Sequence, residues 1–506
     1  MKAATKTLMV SCALAFVVSG CASVAGELAG IEQVPPTPAL EVEPVPAAAA
    51  PPDSTTTTIV TTTTEPETFV NAVKRPHGVV EGVLQFRGNP THTWYGKGPV
   101  PTSPTIKWRF GEMCGVTNPG TGPTTKCGTA WTGQPVVYER NDGVTEVIFG
   151  AYDHKVHFLD AATGLETRPP FVTGDAIKGS VTLDPDGYPL LYFGSRDNKM
   201  RILALDREAP TEVWALNADD WNGIWNNDWD GNPSVIDDVL YEGGENGIFY
   251  AVLLNRAYAD DGSVRVDPQV LATVNGWTTE LINLVGRNLS IENSVAVYED
   301  TAYFGNGGGR VVGVDISNVR QGEAPIVFDY WLGDDIDASI VIDDEGMLYV
   351  PVEMERFNAR SKEVGQLVKL DPGNDDPFVW GVSIPPRVDG DDGGLWATPV
   401  LGDGVVYVTT HPGELLAVDA TTGEVFFRDE VGHHAWSSPL LVDDILVVSI
   451  NCEAGGGLRF YDVSDPRSPR TVSQFDLNSG CIESTPTIWK GTIYVGARDG
   501  YFYAFG

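Results

Sequence analysis

From residue 133 to residue 506 the chain writes one hairpin plan eight times. The copies open at "GQPVVY" (133–138), "GSVTLD" (179–184), "GNPSVI" (231–236), "NSVAVY" (293–298), "ASIVID" (338–343), "ATPVLG" (397–402), "SSPLLV" (437–442) and "STPTIW" (484–489). Each begins on a small or polar residue and runs through alternating apolar positions to a turn. A second strand returns, ending in "YFG" at 192–194 and 303–305, "YEG" at 241–243 and "YVG" at 494–496. A third closes on Asp, as in "RILALD" (201–206) and "LLAVD" (415–419). The turns "DAATG" (160–164) and "DATTG" (419–423) lead to a fourth strand; fourth strands carry Trp214, Trp331, Trp380 or Phe426 and Phe427. Alternation of period two with a turn every ~8–12 residues is a four-stranded antiparallel unit, and radial repetition of such units is a propeller. The predicted fold is therefore an all-β, eight-bladed β-propeller of four-stranded antiparallel blades.

The eighth copy, "STPTIWKGTIYVGARDGYFYAFG", supplies only three strands. Upstream of copy one, "TIKWRF" (105–110) is a strand with no blade of its own, and it carries the expected Trp, Trp108. Pairing it beside residues 501–505 closes the last blade and removes an exposed edge.

The first 20 residues, "MKAATKTLMVSCALAFVVSG", have Lys2 and Lys6 ahead of an apolar run from Leu8 to Val18. That run is too short to span a bilayer and fits a signal peptide. "VSGC" (18–21) resembles the lipobox of bacterial lipoproteins, which implies lipidation of Cys21 and membrane attachment through that anchor only. Residues 21–75 are dominated by Pro, Ala, Glu and Thr and read as a disordered tether. Residues 76–506 are the propeller.

Setting aside Cys12 and Cys21, four cysteines remain: Cys114, Cys127, Cys452 and Cys481. An even number in an exported chain predicts disulfides, paired by proximity as Cys114–Cys127 and Cys452–Cys481. Against 33 Lys and Arg stand 69 Asp and Glu, a net charge of −36. Removal of residues 1–20 takes away two Lys and no acid, so the mature chain carries −38. Such a chain has no basic face for nucleic-acid phosphate and is repelled by an anionic membrane surface.

The run of Pro-Val, Tyr-x-Gly, Asp-Gly, Ala-Leu-Asp-x-x-Thr-Gly and Trp resembles the PQQ-like (quinoprotein-type) repeat. The resemblance covers about residues 80–506, with copies six and eight matching best and copies three, four and five stretched. It implies an eight-bladed propeller. It points to two kinds of protein: quinone-dependent alcohol dehydrogenases, and the lipoprotein subunit of the outer-membrane assembly machinery. Residues 84–110 resemble the lead-in that such chains place before their first repeat.

Ligands of propellers sit over the central channel, where the innermost strands begin. Three residues back from each motif lie Thr132, Lys178, Asp230, Ile291, Ile336, Trp396, Trp436 and Glu483. Their neighbours add Trp131, Trp229, Glu292, Asn293, Asp335, Asp337, His433 and His434. The candidate binding residues are Trp131, Lys178, Trp229, Asp230, Glu292, Asn293, Asp337, Trp396, Trp436 and Glu483. An acidic, aromatic mouth suits a flat or cationic ligand, or Ca²⁺. "NADDWNGIWNNDWDGN" (217–232) and "RVDGDDGGLW" (387–396), with Asp389, Asp391 and Asp392, thicken the acid on that rim, but neither has EF-hand spacing.

No phosphate loop, HExxH or GxSxG occurs. The sequence reads as an exported, lipid-anchored module of the cell envelope that binds an envelope protein or polysaccharide without catalysis. PQQ and Ca²⁺ enter only under the alternative of a dehydrogenase. Against it stands the lack of the adjacent Cys pair that the resemblance to those enzymes implies. A third reading is binding of an envelope polysaccharide or peptide by the Trp-rich mouth.

Overall fold

A computed structural model of the protein describes residues 73–118, 122–130, 133–451, 455–478 and 480–506. The signal segment, residues 21–72 of the tether including Cys21, Trp131 and the Cys452 half of the second disulfide lie outside the described residues. The chain divides into two units, Met1–Thr64 and Glu65–Gly506, and everything below concerns the second.

Eight antiparallel sheets follow one another in sequence, each ordered from its first strand outward. Blade six is typical: Val400–Gly402, Val405–Thr409, Glu414–Asp419 and Val425–Glu430. Its second strand is buried at every position, whereas the fourth is half-buried to exposed. The gradient follows from radial packing: inner strands are covered on both faces, and the outer edge meets water on one side. The stretched copies are explained by insertions. Blade three carries an extra hairpin of Ala257–Tyr258 and Val264–Arg265. A helix, Thr279–Val285, precedes blade four, and a second, Ala359–Val364, interrupts blade five. No helix among the described residues is long and apolar enough to cross a membrane.

The ring closes as the orphan strand requires. Ile106–Gly111 pairs antiparallel with Tyr501–Phe505, with Trp108 opposite Ala504 and Phe110 opposite Phe502. The blades at the seam also gain strands that four-strand counting does not foresee. Gly82–Val83 adds to the inner edge of blade one, and Gly96–Lys97 pairs parallel with the inner strand of blade eight. Between them, residues 84–95 plug the channel. The Leu84 carbonyl accepts from Leu183 N–H at 2.8 Å, Phe86 N–H donates to Asn232 Oδ1 at 2.8 Å, and Arg87 N–H donates to Gln134 Oε1 at 2.7 Å. The Pro90 and Thr91 carbonyls accept from Val297 and Ile342 at 2.8 and 3.1 Å. Tyr95 Oη accepts from Leu401 N–H at 2.9 Å, and Trp94 meets Trp489 edge-on at 6.3 Å. With Arg87 reaching the Pro439 carbonyl at 2.5 Å, this one segment touches all eight blades.

Two features of the repeat have direct physical causes. The small polar residue that opens each copy builds a hydroxyl girdle. Ser294 N–H donates to Ser339 Oγ, Ser339 N–H to Thr398 Oγ1 and Thr398 N–H to Ser438 Oγ, each at 3.0 Å. The girdle extends through Asn232 N–H to Ser294 Oγ at 3.1 Å and Gln134 N–H to Ser180 Oγ at 2.8 Å. Each blade thus satisfies an inner-strand donor of another blade that the sheet leaves unpaired. The second feature is the glycine at the end of the second strand, in Tyr-x-Gly or, in blade one, Ile-Phe-Gly. A Cβ at Gly150, Gly194, Gly243 or Gly305 would meet Ile177, Trp229, Ile291 or Ile336 of the following lead-in at 2.2–2.3 Å. Only a residue without Cβ permits that approach.

Cys114 and Cys127 form the expected disulfide across the hairpin Cys114–Thr117 and Thr124–Cys127.

Candidate functional site

The lead-ins to the inner strands converge at one end of the channel, the end opposite the turns that join first and second strands. Counting back from the motif had put Ile291 and Ile336 in the ring. The structure corrects both by one residue. They fill the wedge position against Gly243 and Gly305, and Glu292 and Asp337 take the ring positions. A slip of one residue exchanges the two faces of an extended chain. Trp229 holds the same wedge position in blade three. It is fully buried, 5.3 Å from the Tyr250 ring, and faces blade two rather than the channel. Asn293 is buried beneath the ring and ties blade four to blade five. Its Nδ2 donates to the Gly305 and Ile336 carbonyls at 3.0 and 2.7 Å, and its Oδ1 accepts from Gly305 N–H at 3.0 Å.

Asp230, Glu292, Asp337 and Trp396 line one cavity of about 20 Å³, floored by Phe86 of the plug and walled by the girdle hydroxyls of Ser294, Ser339, Thr398, Ser438 and Thr485. Lys178 enters the same cluster. Its Nζ contacts Asp230 Oδ2 and lies 3.5 Å from Glu245 Oε1. Burial works against this ammonium, but the carboxylates of Asp230, Glu245 and Glu292 outweigh it and hold the Lys178 pKa well above its ordinary value. Asp230, Glu245 and Glu292 each bring one oxygen within 4.8 Å of the others. Glu292 is pushed up to about 7 by burial and by Asp230 and Asp335, against the pull of Lys178. Glu483 stands on the far side, where it meets Arg498 at 3.3 Å; burial raises its pKa and Arg498 opposes that.

Positive and negative charge are unevenly spread. Around blades eight, one and two the acids have partners, as in Arg196–Asp228 at 2.7 Å. Around blades four and five, Asp337 and Glu353 both have their pKa raised, by burial first and then by each other's neighbourhood of carboxylates, including Asp335 and Glu292. Arg356 pairs with Asp334 and Asp335, at 3.6 and 3.2 Å. Asp337 Oδ1 and Glu353 Oε1 are buried without a hydrogen bond among the described residues.

Glu245, Glu353 and His411 are the residues that sequence reasoning missed. All three occupy one position of the repeat, two residues beyond the end of the second strand, as do Arg196 and Arg498. That offset was available in the sequence as a second ring. His411 is almost fully buried beneath Trp396, ring centroids 4.0 Å apart, and its Nδ1 accepts from Trp436 Nε1 at 2.9 Å. Burial and the neighbouring imidazoles of His434 and His433 push its pKa down to about 3.

Larger clefts, of about 560 and 410 Å³, open at the opposite end, beside the turns that join first and second strands, between blades five and six and between six and seven. Asp343, Asp344, Asp403, Asp443 and Asp444 line them.

Fold and site together define an eight-bladed propeller with a plugged channel and an acidic mouth. Residues 363–504 match the family described as outer membrane protein assembly factor BamB, so the chain carries PQQ-like repeats. No curated protein matches the sequence. Among solved structures it is similar to the quinohemoprotein alcohol dehydrogenase of Comamonas testosteroni, with 12% identity and a TM-score of 0.54 over 86% of this chain and 81% of that one. It is similar to Sqt1 of Saccharomyces cerevisiae, with 11% identity and the same TM-score of 0.54, over 75% and 96% of the two chains. BamB of Moraxella catarrhalis matches at 11% identity over 79% and 97%, with a TM-score of 0.36. The two likenesses at 0.54 are likenesses of fold.

Proposed function

We propose that the protein is an exported, lipid-anchored propeller of the cell envelope that binds a partner through its acidic mouth and does no catalysis. The observation that carries this reading is the cavity over Phe86. At about 20 Å³ it admits a single small group, against roughly 300 Å³ for the smallest cofactor pockets. The quinone of the resembled dehydrogenases is a flat tricyclic tricarboxylate. It exceeds that volume, and Asp230, Glu292 and Asp337 would oppose its charge. The residues present do not fit it.

They fit a cation. Lys178 already holds an ammonium against Asp230 and Glu245. The sector of Glu292, Asp337 and Glu353 offers the same chemistry to a basic side chain from outside. The partner is an envelope protein that presents one. The match to an outer-membrane assembly factor family supports the envelope role, and the Cys114–Cys127 disulfide supports an oxidising compartment. Residues 1–20 and Cys21 support export and anchoring.

Two measurements test this. Reconstitution with the quinone and Ca²⁺ should give no bound chromophore and no dye-linked alcohol oxidation; either signal overturns the non-catalytic reading. A tri-lysine peptide should bind by calorimetry and lose at least tenfold in affinity in the Glu292→Gln, Asp337→Asn double variant. Equal affinity in the two proteins removes the mouth as the binding site.

A further inference from the structure

Four ligand-type side chains meet at the edge of the mouth where blade six adjoins blade seven. Asp391 lies on the loop into blade six, His411 follows that blade's second strand, and His433 and His434 lie on the loop into blade seven. One donor atom from each of the four lies within 4.8 Å of the others. His433 Nε2 is 2.7 Å from Asp391 Oδ2, and His411 Nε2 is 4.0 Å from Asp391 Oδ1. The His411 ring centroid is 5.1 Å from that of His433 and 4.7 Å from that of His434.

The backbone fixes the group. His434 N–H donates to the His411 carbonyl at 2.9 Å, and His411 N–H donates to the Gly394 carbonyl at 3.0 Å, two residues from Asp392. His411 is 2% exposed, yet its Nε2 makes no hydrogen bond among the described residues and faces the cluster. A buried polar atom left without a partner costs roughly 1–3 kcal/mol. A ligand at this point would remove that cost.

We propose that Asp391, His411, His433 and His434 bind one divalent transition-metal ion of the zinc class. Three imidazoles and one carboxylate are borderline-soft donors, suited to zinc, cobalt, nickel or copper, whereas Ca²⁺ and Mg²⁺ select oxygen-only shells. Four donors fill a tetrahedral site. With bonds of about 2.0–2.2 Å the donor atoms stand roughly 3.4 Å apart, so the four must adjust by on the order of 1 Å. Asp391, His433 and His434 are each partly exposed, which gives the ion an entry path. Trp396 separates this cluster from the carboxylate-lined cavity, and the two are chemically distinct.

The Trp436–His411 hydrogen bond adds a specific consequence. Donation by the indole into Nδ1 leaves the neutral His411 ring with its proton on Nε2. A metal bond at Nε2 needs the other tautomer, with the proton on Nδ1. Loading therefore exchanges the indole hydrogen bond for the metal bond. Trp436 restrains the empty site.

The test is titration of the untagged mature chain with Co²⁺, read by visible absorption, followed by displacement with Zn²⁺. The expected result is one equivalent of Co²⁺ with the intense d–d bands of a four-coordinate, nitrogen-containing site, lost on adding Zn²⁺. His433→Ala, at a partly exposed position, should weaken binding about 100-fold or more while leaving the melting temperature of the metal-free protein unchanged. His411→Ala should do the same to binding. Trp436→Phe should tighten it. Glu292→Gln, in the neighbouring cavity, should leave Co²⁺ binding unchanged. Absence of the Co²⁺ spectrum at micromolar metal overturns the proposal, as does binding that survives His433→Ala or disappears in Glu292→Gln.

Discussion

The indole of Trp108 donates its Nε1–H to the Ala161 carbonyl at 3.0 Å, across the seam where the last blade meets the first. The ring lies flat over Gly164, where a Cβ would fall 2.6 Å from it and φ is +70°. Trp380 of blade five repeats the arrangement on Ala420, at 3.2 Å, and Gly423 of blade six. The "D-A-x-T-G" turn is thus a dock for the outer-strand Trp of the preceding blade. The seam uses the same device as an ordinary blade boundary, although the strand that carries Trp108 is paired within its blade to one about 400 residues away in sequence. Loss of Trp108 to Ala should cost about 3–5 kcal/mol, read from the urea midpoint. Deletion of residues 104–111 should lower the melting temperature of the whole propeller. Melting unchanged by that deletion would refute the clasp.

Arg87 makes the second prediction. It is completely buried and forms no ion pair with a carboxylate among the described residues. Its guanidinium donates to the Pro399, Pro439 and Thr398 carbonyls and stacks over Tyr95 at 4.6 Å. Burial lowers its pKa to about 10, with Tyr95 opposing. The planar fork reaches carbonyls of two blades at once, which an ammonium cannot do. Arg87→Lys should therefore destabilise nearly as much as Arg87→Met, by several kcal/mol, because both leave buried carbonyls without donors. A fully stable Lys variant would show that the charge, not the fork, holds the plug.

How far the sequence reaches can be argued from these residues. The eight copies, the pairing of 105–110 with 501–505 and the Cys114–Cys127 bridge were legible because each rests on local alternation or short spacing. The plug was visible only as a resemblance. Its contacts are scattered over eight blades, one or two residues in each, and no local pattern records them. The mouth was legible as an acidic ring, but its phase slipped at Ile291 and Ile336. In extended chain an apolar wedge and a channel-facing acid sit side by side, and only the partner glycine, Gly243 or Gly305, tells them apart. His411 escaped because it belongs to a hairpin turn, where the signal is not strand alternation but a fixed offset from the second strand.

The girdle gives the third prediction. Ser339→Ala removes one oxygen and almost no volume, but it leaves the Ser294 N–H buried without an acceptor. The cost should be about 1–3 kcal/mol. The serine of an exposed turn, Ser464, is the control, since its hydroxyl bonds only Asp462 at 2.6 Å. Equal effects of the two substitutions in urea melts would mean that the girdle adds nothing to blade cohesion.

Glu292 makes the last prediction, through pH. It faces Lys178 from blade two, Asp230 and Glu245 from blade three and Asp335, Asp337 and Glu353 from blade five. Its carboxyl is held up to about 7 in the folded chain, against about 4.3 in an unfolded one. Between these values the native protein keeps a proton that the unfolded chain releases, so this group's contribution to stability is present at low pH and is lost as pH rises toward 7. His77, His92 and His411, whose pKa values burial lowers, run the opposite way between their folded values and about 6.5. Wild-type stability alone therefore mixes the two. Comparison with Glu292→Gln isolates the carboxyl, because the amide mimics the protonated acid and the histidines cancel. The two proteins should unfold nearly alike at pH 4, below the value of the unfolded carboxyl. The Gln variant should be the more stable at pH 8, by on the order of 1–3 kcal/mol. A difference that does not change with pH would mean that Glu292 ionises as a solvent-exposed acid does, and that the mouth is wetter than its 20 Å³ cavity indicates.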